Sequence, residues 1–462
     1  MRALPLSAYF AAAASFALGA AVASTACVSP ELEGTNWACA ANDECGRGFV
    51  CSLDGGTTGR CVALSSDGPI RLGMSAPFQG PNGDLGTEMR RGMRAYFERF
   101  NRQGGLRGRD LVLDSRDDGY DPSLARQNTL ELLDVRQEVE GSDRPDIVGP
   151  NGVLAFVGNV GTPTALASAP LATKNRTIFF APFTGANEYL RDGTKSPYVF
   201  NYRASYYEET AAMADFLFRV RSPRIADHQH VIAFVQNDAF GEAGYSGFSN
   251  AYNAIAPLPN PQAITRITYE RDNPVVSTEE QAVPATLARL QALLPPPPAE
   301  GAAPQTVSVA IVMVDTYSAG ATLIRRVKDW VNEDAARAQS LDVAFLHVSF
   351  VGSDALAEQL TTTPASYVDI ATGARRTYAG GVIVTQVVPD YASQATGVAE
   401  YRTDIGAFDQ GNYSFNSLEG YIAAKLFVEA LRRHEGPLTS TNLVSTLENK
   451  MVNVDVGIGQ PL

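Results

Sequence analysis

Few residues in the chain are placed to do chemistry. Gly158-Asn-Val-Gly-Thr-Pro-Thr164 follows a strand-like apolar run and opens a helix-like one. Such a junction gathers backbone N–H groups and the positive end of a helix dipole at one spot, which makes an anion site. Pro163 suits a first helical turn. Thr162 or Thr164 would serve as its N-cap, a role compatible with holding an anion. Asp354, in Gly352-Ser-Asp, precedes Ala355-Leu-Ala-Glu and on its own reads as another cap. Asp117, Asp118 and Asp121 resemble a calcium-ligand run, but the glycine and terminal Glu of an EF-hand are missing. Asp121 before Pro122 reads better as the cap of the next helix. There is no GxSxG, no HExxH and no P-loop. His228, His230, His347 and His434 form no His–Asp–Ser assembly. No catalytic residue and no cofactor is assigned, and the expectation is that the chain is not an enzyme.

The cysteines point to export. All five lie between Cys27 and Cys61, and the last four run Cys39-x5-Cys45-x5-Cys51-x9-Cys61. Four cysteines in a short exported segment read as two disulfides, with three pairings open. Zinc is disfavoured, since there is no CxxC pair, and no metal site is assigned. Arg2, an apolar run over residues 8–23 and the small residues Ser24-Thr25-Ala26 read as a signal peptide, residues 1–26. Small residues ending directly in Cys27 resemble the lipobox of bacterial lipoproteins, in which the thiol is acylated. Ser24 stands where a large aliphatic residue is usual. Lipidation would account for the odd cysteine; an ordinary cleaved signal is the alternative.

The elements that must position these residues alternate. The chain has 462 residues, net charge −13, 45% hydrophobic and 19% charged residues, a globular composition. The acidic balance argues against nucleic acid. After the polar linker 62–68, strand-like Pro69–Ser75 leads to an amphipathic helix, 86–103, with Met89, Met93, Phe97 and Phe100 on one stripe. Strand, helix and strand then recur through 111–115, 121–133, 155–158, 162–171 and 178–182. They continue through 207–220, 230–235, 241–254, 307–314, 319–337, 343–348 and 381–388. Such alternation implies parallel sheets flanked by helices, with ligands outside the strands' carboxyl ends. Residues 271–306, with a short helix over 284–294 and Pro295–Pro298, read as an exposed insertion.

The order of segments resembles the type I periplasmic binding proteins, in their branched-chain amino acid branch. The likeness is carried by IRLGMSAPFQGPNGDLGTEMRRGMRAYFERFNRQGGLRGR (70–109), LDSRDDGYDPSLA (113–125) and FVGNVGTPT (156–164). It continues in FFAPFTGA (179–186), FVQNDAFGEAG (234–244), FVGSDAL (350–356) and SFNSLEGYIAAKLFVEALRR (414–433). The resemblance implies an α/β fold of two Rossmann-like lobes, a Venus flytrap hinged by three crossovers, and the cysteine spacing puts a disulfide-rich N-terminal segment, 27–68, in front of it. Lobe one would be 69–200 plus 388–446, and lobe two 201–387 plus 447–462. The final Val454–Leu462 resembles the start of the family's last hairpin, after which relatives usually continue.

By the same resemblance, a small zwitterion or carboxylate is captured between the lobes and handed to the membrane permease of an ABC importer. Thr162, with Thr164 beside it, would meet the carboxylate. Phe183, Thr184 and Gly185 would offer main-chain groups, Phe240 and Tyr317 aromatic faces, Asp354 a partner for the ammonium, and Tyr413 a side-chain wall. Three positions depart from the pattern: Leu85 for an aromatic, Phe240 for Tyr, and Gly185 for a hydroxyl residue. The implied location is the periplasm or cell surface of a bacterium, with a lipid anchor in the membrane. The rival readings are a ligand-sensing module of a receptor system and a surface lipoprotein whose cleft is vestigial.

Overall fold

The long apolar runs become buried strands, and they sort into two parallel sheets. The computed structural model describes residues 38–39, 49–52, 58–63, 68–141, 144–191, 197–217, 230–255, 264–301, 305–409 and 411–459. The signal-like stretch, Cys27 and Cys45 lie outside the described residues, and of Cys51 only the backbone is described. Near the N-terminus, β1 (Ala38–Cys39), β2 (Phe49–Ser52) and β3 (Gly59–Ala63) form a small antiparallel sheet, with Cys51 opposite Cys61 in register.

The first large sheet contains β4 (Ile70–Ala76), β5 (Leu111–Asp117), β6 (Ala155–Val157), β7 (Ile178–Phe180) and β8 (Val199–Phe200). Their order is β8-β7-β6-β4-β5, parallel throughout. Helix α1 (Gly83–Arg102) buries its Met89, Met93, Phe97 and Phe100 stripe. Helix α2 (Pro122–Leu132) is capped as expected: the Asp121 carboxylate accepts from the Ser123 and Leu124 amides. Helix α3 (Thr162–Lys174) follows β6.

The second sheet contains β9 (Val231–Gln236), β10 (Thr265–Tyr269), β11 (Val307–Val314), β12 (Leu341–His347) and β13 (Val382–Val384). Their order is β10-β9-β11-β12-β13, again all parallel. The eight-residue run of β11 is buried along seven positions, as befits a central strand covered on both faces. Edge strand β10 has no counterpart in the sequence reading. It is five residues long and only Ile267 and Tyr269 are buried, so it lacks the long apolar run that marks the central strands. Helices α4 (Tyr206–Asp215), α5 (Ala239–Ile255), α6 (Val283–Ala292), α7 (Tyr317–Asn332) and α8 (Ser353–Thr361) accompany this sheet. Pro296–Pro298 are exposed and outside any helix or strand.

Helices α9 (Thr396–Phe408), α10 (Phe415–Arg433) and α11 (Ser440–Asn449) return to the first sheet's side. There α9 and α10 pack on α1, and Ser440 Oγ accepts from the Ile178 amide of β7. Among the described residues the chain therefore crosses between the lobes twice, at 200–206 and 384–396, rather than three times. The tail also departs from the sequence reading. Val454 and Val456 are buried, the Gly397 amide donates to the Gly457 carbonyl, and Lys425 donates to the Val456 carbonyl. Val454–Gly457 thus complete the apolar cover of α9 and α10 in lobe one, and no described residue of the tail joins the second sheet.

Candidate functional site

The carboxyl ends of both sheets face one another across a closed seam. On the lobe-one side, Gly158 (φ 66°) and Gly161 (φ 102°) turn the chain from β6 into α3. A side chain at Gly161 would run into the Tyr120 ring, at 2.3 Å from an ideal Cβ. This turn places Thr162 Oγ1 2.7 Å from Thr184 Oγ1, both hydroxyls fully buried. Tyr206, from the first turn of α4, packs its ring against Gly185 beside them. Asn159, in the same turn, is buried with Oδ1 lacking a protein partner.

The lobe-two side presents rings. Phe350 stands on the short turn 349–351 and is fully buried. Its ring centre lies 5.2 Å from Phe183, 6.3 Å from Tyr120 and 4.8 Å from Phe240. Polar contacts ring this aromatic patch and tie the lobes together. Asp354 Oδ2 accepts from the Phe415 amide at 2.9 Å, and Tyr391 donates to Oδ1 at 3.2 Å. Ser318 donates to the Pro81 carbonyl at 2.7 Å, and the Asp84 amide donates to the Tyr317 hydroxyl at 3.3 Å.

Arg203, on the first crossover, is the central charge. It is 5% exposed and lies 3.4 Å from both Glu209 of α4 and Glu419 of α10. It also donates to Ser349 Oγ and stacks on Phe183, with Cζ 4.8 Å from the ring centre. Glu209 accepts further from the Ser349 amide and from Thr385. One cation therefore fastens the crossover, lobe one, lobe two and the turn that carries Phe350.

Comparison with known proteins agrees with this two-lobed geometry. Residues 69–256 match the family model described as periplasmic binding protein. The Leu/Ile/Val-binding protein homolog 3 of Brucella melitensis is 24% identical over 218 residues, 47% of this chain. The match spans half the length of that curated relative. A crystal structure described as "a possible leucine/isoleucine/valine-binding protein from Rhodopirellula baltica SH 1" is 30% identical, covering 87% of this chain and 90% of that one, with a TM-score of 0.66. The chain belongs to the type I periplasmic binding proteins. A fatty acid ABC transporter substrate-binding protein from Thermomonospora curvata shares the fold at 17% identity, covering 86% of this chain and 85% of that one, with a TM-score of 0.64. The family consists of extracytoplasmic solute-binding proteins, not enzymes.

This binding protein brings most of the sequence candidates to its seam, in roles the sequence did not distinguish. Thr162 does not cap α3; Gly161 holds that position. Thr164 spends its hydroxyl on the carbonyls of Val160 and Gly161 and has none to spare. Phe183, Thr184 and Phe240 are fully buried. Gly185 stands where a hydroxyl residue was expected because Tyr206 packs there, with its Cδ1 2.7 Å from an ideal Cβ on the glycine. Leu85, in place of an aromatic, packs on Gly352 across the seam. Asp354 does not cap α8; its carboxylate reaches the other lobe. Tyr413 lies outside, 39% exposed and against the Tyr401 ring.

Tyr120, Arg203 and Phe350 were not singled out from sequence. Tyr120 follows the Asp117–Asp118 pair and Phe350 opens FVGSDAL, so both lie inside segments that carry the family likeness. A large ring beside a cleft motif was the only signal available.

Burial also shifts the acids near the seam. It lifts Asp118 to about 7, against the pull of hydrogen bonds from Ser75 and the Tyr120 amide. Glu419 likewise rises to about 7, mainly by burial and held back by Arg203, and Asp84 to about 6. A carboxyl whose folded pKa exceeds its unfolded value contributes stability that is complete below the unfolded value. That contribution is lost as pH rises through the folded value. Acids with depressed values, such as Asp146 and Glu400, titrate below this window. The melting temperature is therefore expected to fall between pH 5 and pH 8. Asp118→Asn should flatten the slope in a calorimetric pH series; an unchanged slope would remove Asp118 from its causes.

Proposed function

We propose that the protein captures a small carboxylate, in the first instance an amino acid, between its lobes and delivers it to an ABC permease. The observation that carries this reading is the Thr162–Thr184 hydroxyl pair. The two come from successive strand ends, 2.7 Å apart and fully buried, at the N-terminus of α3 and against lobe two. Buried hydroxyls beside a helix N-terminus suit a carboxylate that must leave its hydration behind. In this reading Asp354 pairs with an ammonium group by exchanging its Phe415 and Tyr391 partners for it. The Leu/Ile/Val-binding relatives support amino acids as the first class to test. Hinge closure about the crossovers then couples capture to a lobe arrangement that the permease reads.

The remaining parts extend the same proposal. Residues 1–26 direct export, and Cys27 carries the lipid that anchors the protein in a membrane. Cys39, Cys45, Cys51 and Cys61 form two disulfides; Cys39 and Cys61 are both disulfide-bonded, which supports this. Residues 69–200 and 388–446 form lobe one, and 201–387 lobe two. The filled aromatic patch at Phe350 favours a second reading, a surface lipoprotein with a vestigial cleft.

A thermal-shift screen against the twenty amino acids, dicarboxylates, amides and urea separates the two. A ligand at 100 times its Kd adds about 2.7 kcal/mol. Asp354→Asn should then weaken an α-amino acid by about tenfold or more, and its deaminated analogue far less. Equal losses for both would reject the ammonium role and leave Asp354 a closure contact. No shift with any compound would favour the vestigial cleft.

A further inference from the structure

We infer that Phe350 occupies, in the closed seam, the place of a ligand's ring, and that the solute is a small carboxylate bearing a phenyl-sized ring. The inference rests on the reading of Thr162 and Thr184 as the carboxylate site and adds the chemistry of what lies beyond it.

The seam beside the threonine pair is already filled. Thr162, Thr184, Phe183, Phe240 and Phe350 all have 0% exposure. A solute reaching the hydroxyls must therefore displace a side chain. Phe183 is pinned under Arg203, and Phe240 packs on Tyr206 at 5.2 Å. Tyr120 is fixed by the Gln236 amide and through its carbonyl by Arg271. Phe350 differs, because it stands on a three-residue turn of the opposite lobe, whereas Phe240 of that lobe is held within α5. That turn is followed by Gly352, at φ 79°, and its side-chain hydrogen bonds are those of Ser349 with Glu209 and Arg203. If the Phe350 ring alone leaves the closed seam, the space between Tyr120, Phe183 and Phe240 has the size of one phenyl group.

The walls of that space select what re-enters. Three rings face it, at 32°, 35° and 59° to the Phe350 ring, and aromatic pairs gain energy beyond the area they bury. A solute ring regains those contacts, whereas a short branched aliphatic group regains area without them. A free carboxylate on the ring, directed at Thr162, Thr184 and the α3 N-terminus, meets the polar edge of the same space. Phe350 is in this sense a built-in competitor that sets both specificity and affinity.

Benzoate, isobutyrate and toluene, titrated calorimetrically into the full chain and its Phe350→Ala variant, test the inference. Benzoate should bind the variant about tenfold or more tightly than it binds the wild type, and isobutyrate should gain no more than about threefold. Adding Thr162→Val to the variant should abolish benzoate binding and leave toluene binding intact. Equal benzoate affinity in wild type and variant, or an equal gain for isobutyrate, would overturn the inference. If the wild type still bound another carboxylate in a Thr162-dependent way, the proposed function would survive that failure. Uptake of toluene but of no carboxylate by the variant would instead overturn the Thr162 reading and this inference with it. Should Phe350→Ala fail to fold, Phe350→Leu carries the same comparison with a smaller gain.

Discussion

Arg203→Met should cost about 3–5 kcal/mol of stability at pH 8 and clearly less at pH 5. The side chain sits at 3.4 Å from two buried carboxylates that do not share its dependence on it. Glu209 keeps the Ser349 amide at 2.8 Å, the Ser349 hydroxyl at 3.0 Å and the Thr385 hydroxyl at 2.7 Å. Glu419 has Arg203 as the one cation that lowers its pKa, which burial already holds near 7. Without the guanidinium, Glu419 is pushed further up and takes a proton in the folded state. Its proton uptake limits the damage at low pH and is unavailable at high pH, so the variant's loss grows as pH rises. The expected readout is a melting temperature lowered by several degrees at pH 8, with a pH slope steeper than that of the wild type. Arg203→Met combined with Glu419→Gln should restore most of the loss and remove the extra slope, because the neutral amide needs no counter-charge. A loss that is uniform across pH would mean that packing on Phe183, not charge, is what Arg203 contributes.

The legible part of this fold was the part written in local pattern. Alternating strands and helices, the apolar stripe of α1 and the Asp121 cap depend on neighbours within a few residues, and each was readable. β10 was not, because Thr265–Tyr269 buries one face only and carries an arginine, which weakens the apolar signal of an edge strand. The site divides along the same line. Thr162, Thr184, Phe240 and Asp354 could be placed in the cleft through family likeness, since their segments occur in a known order. What each one does there depends on residues far along the chain. Asp354 meets the amide of Phe415, 61 positions away, and Arg203 meets Ser349, 146 positions away. Phe350 could be seen as an aromatic near a motif, but not as the ring that fills the space between Tyr120, Phe183 and Phe240. The tail misled for a related reason: the likeness of Val454–Leu462 to a hairpin says nothing about α9 and α10, which Val456 and Gly457 meet.

Gly92→Ala should be the most damaging single methyl in lobe one. Helices α1 and α10 touch backbone to backbone at two glycines. An ideal Cβ on Gly92 would lie 1.8 Å from the Ser417 carbonyl oxygen, and one on Gly420 would lie 2.2 Å from the Met89 carbonyl oxygen. Neither obstacle is a side chain that can turn aside, so the helices must separate by more than an ångström. Alanine's better helix propensity returns about 1 kcal/mol, while overpacking of this kind costs about 3 kcal/mol or more. The displacement has a functional consequence, because α1 begins beside Asp84 and α10 begins with Phe415 and carries Glu419. Moving α10 outward lengthens the contact of Asp354 with the Phe415 amide and draws Glu419 from Arg203. Gly92→Ala is therefore expected to lower the melting temperature and to weaken solute binding together, whichever solute the screen returns. Gly406→Ala is the control: that glycine is exposed within α9 with open space around its Cβ, and the change should stabilise slightly. Once the helices have parted for the first methyl, a second at Gly420 meets less resistance, so the double variant should lose less than the sum of the two singles. Strict additivity would show that the two sites yield independently, and the close approach of α1 and α10 would then not be the single constraint that sets the seam.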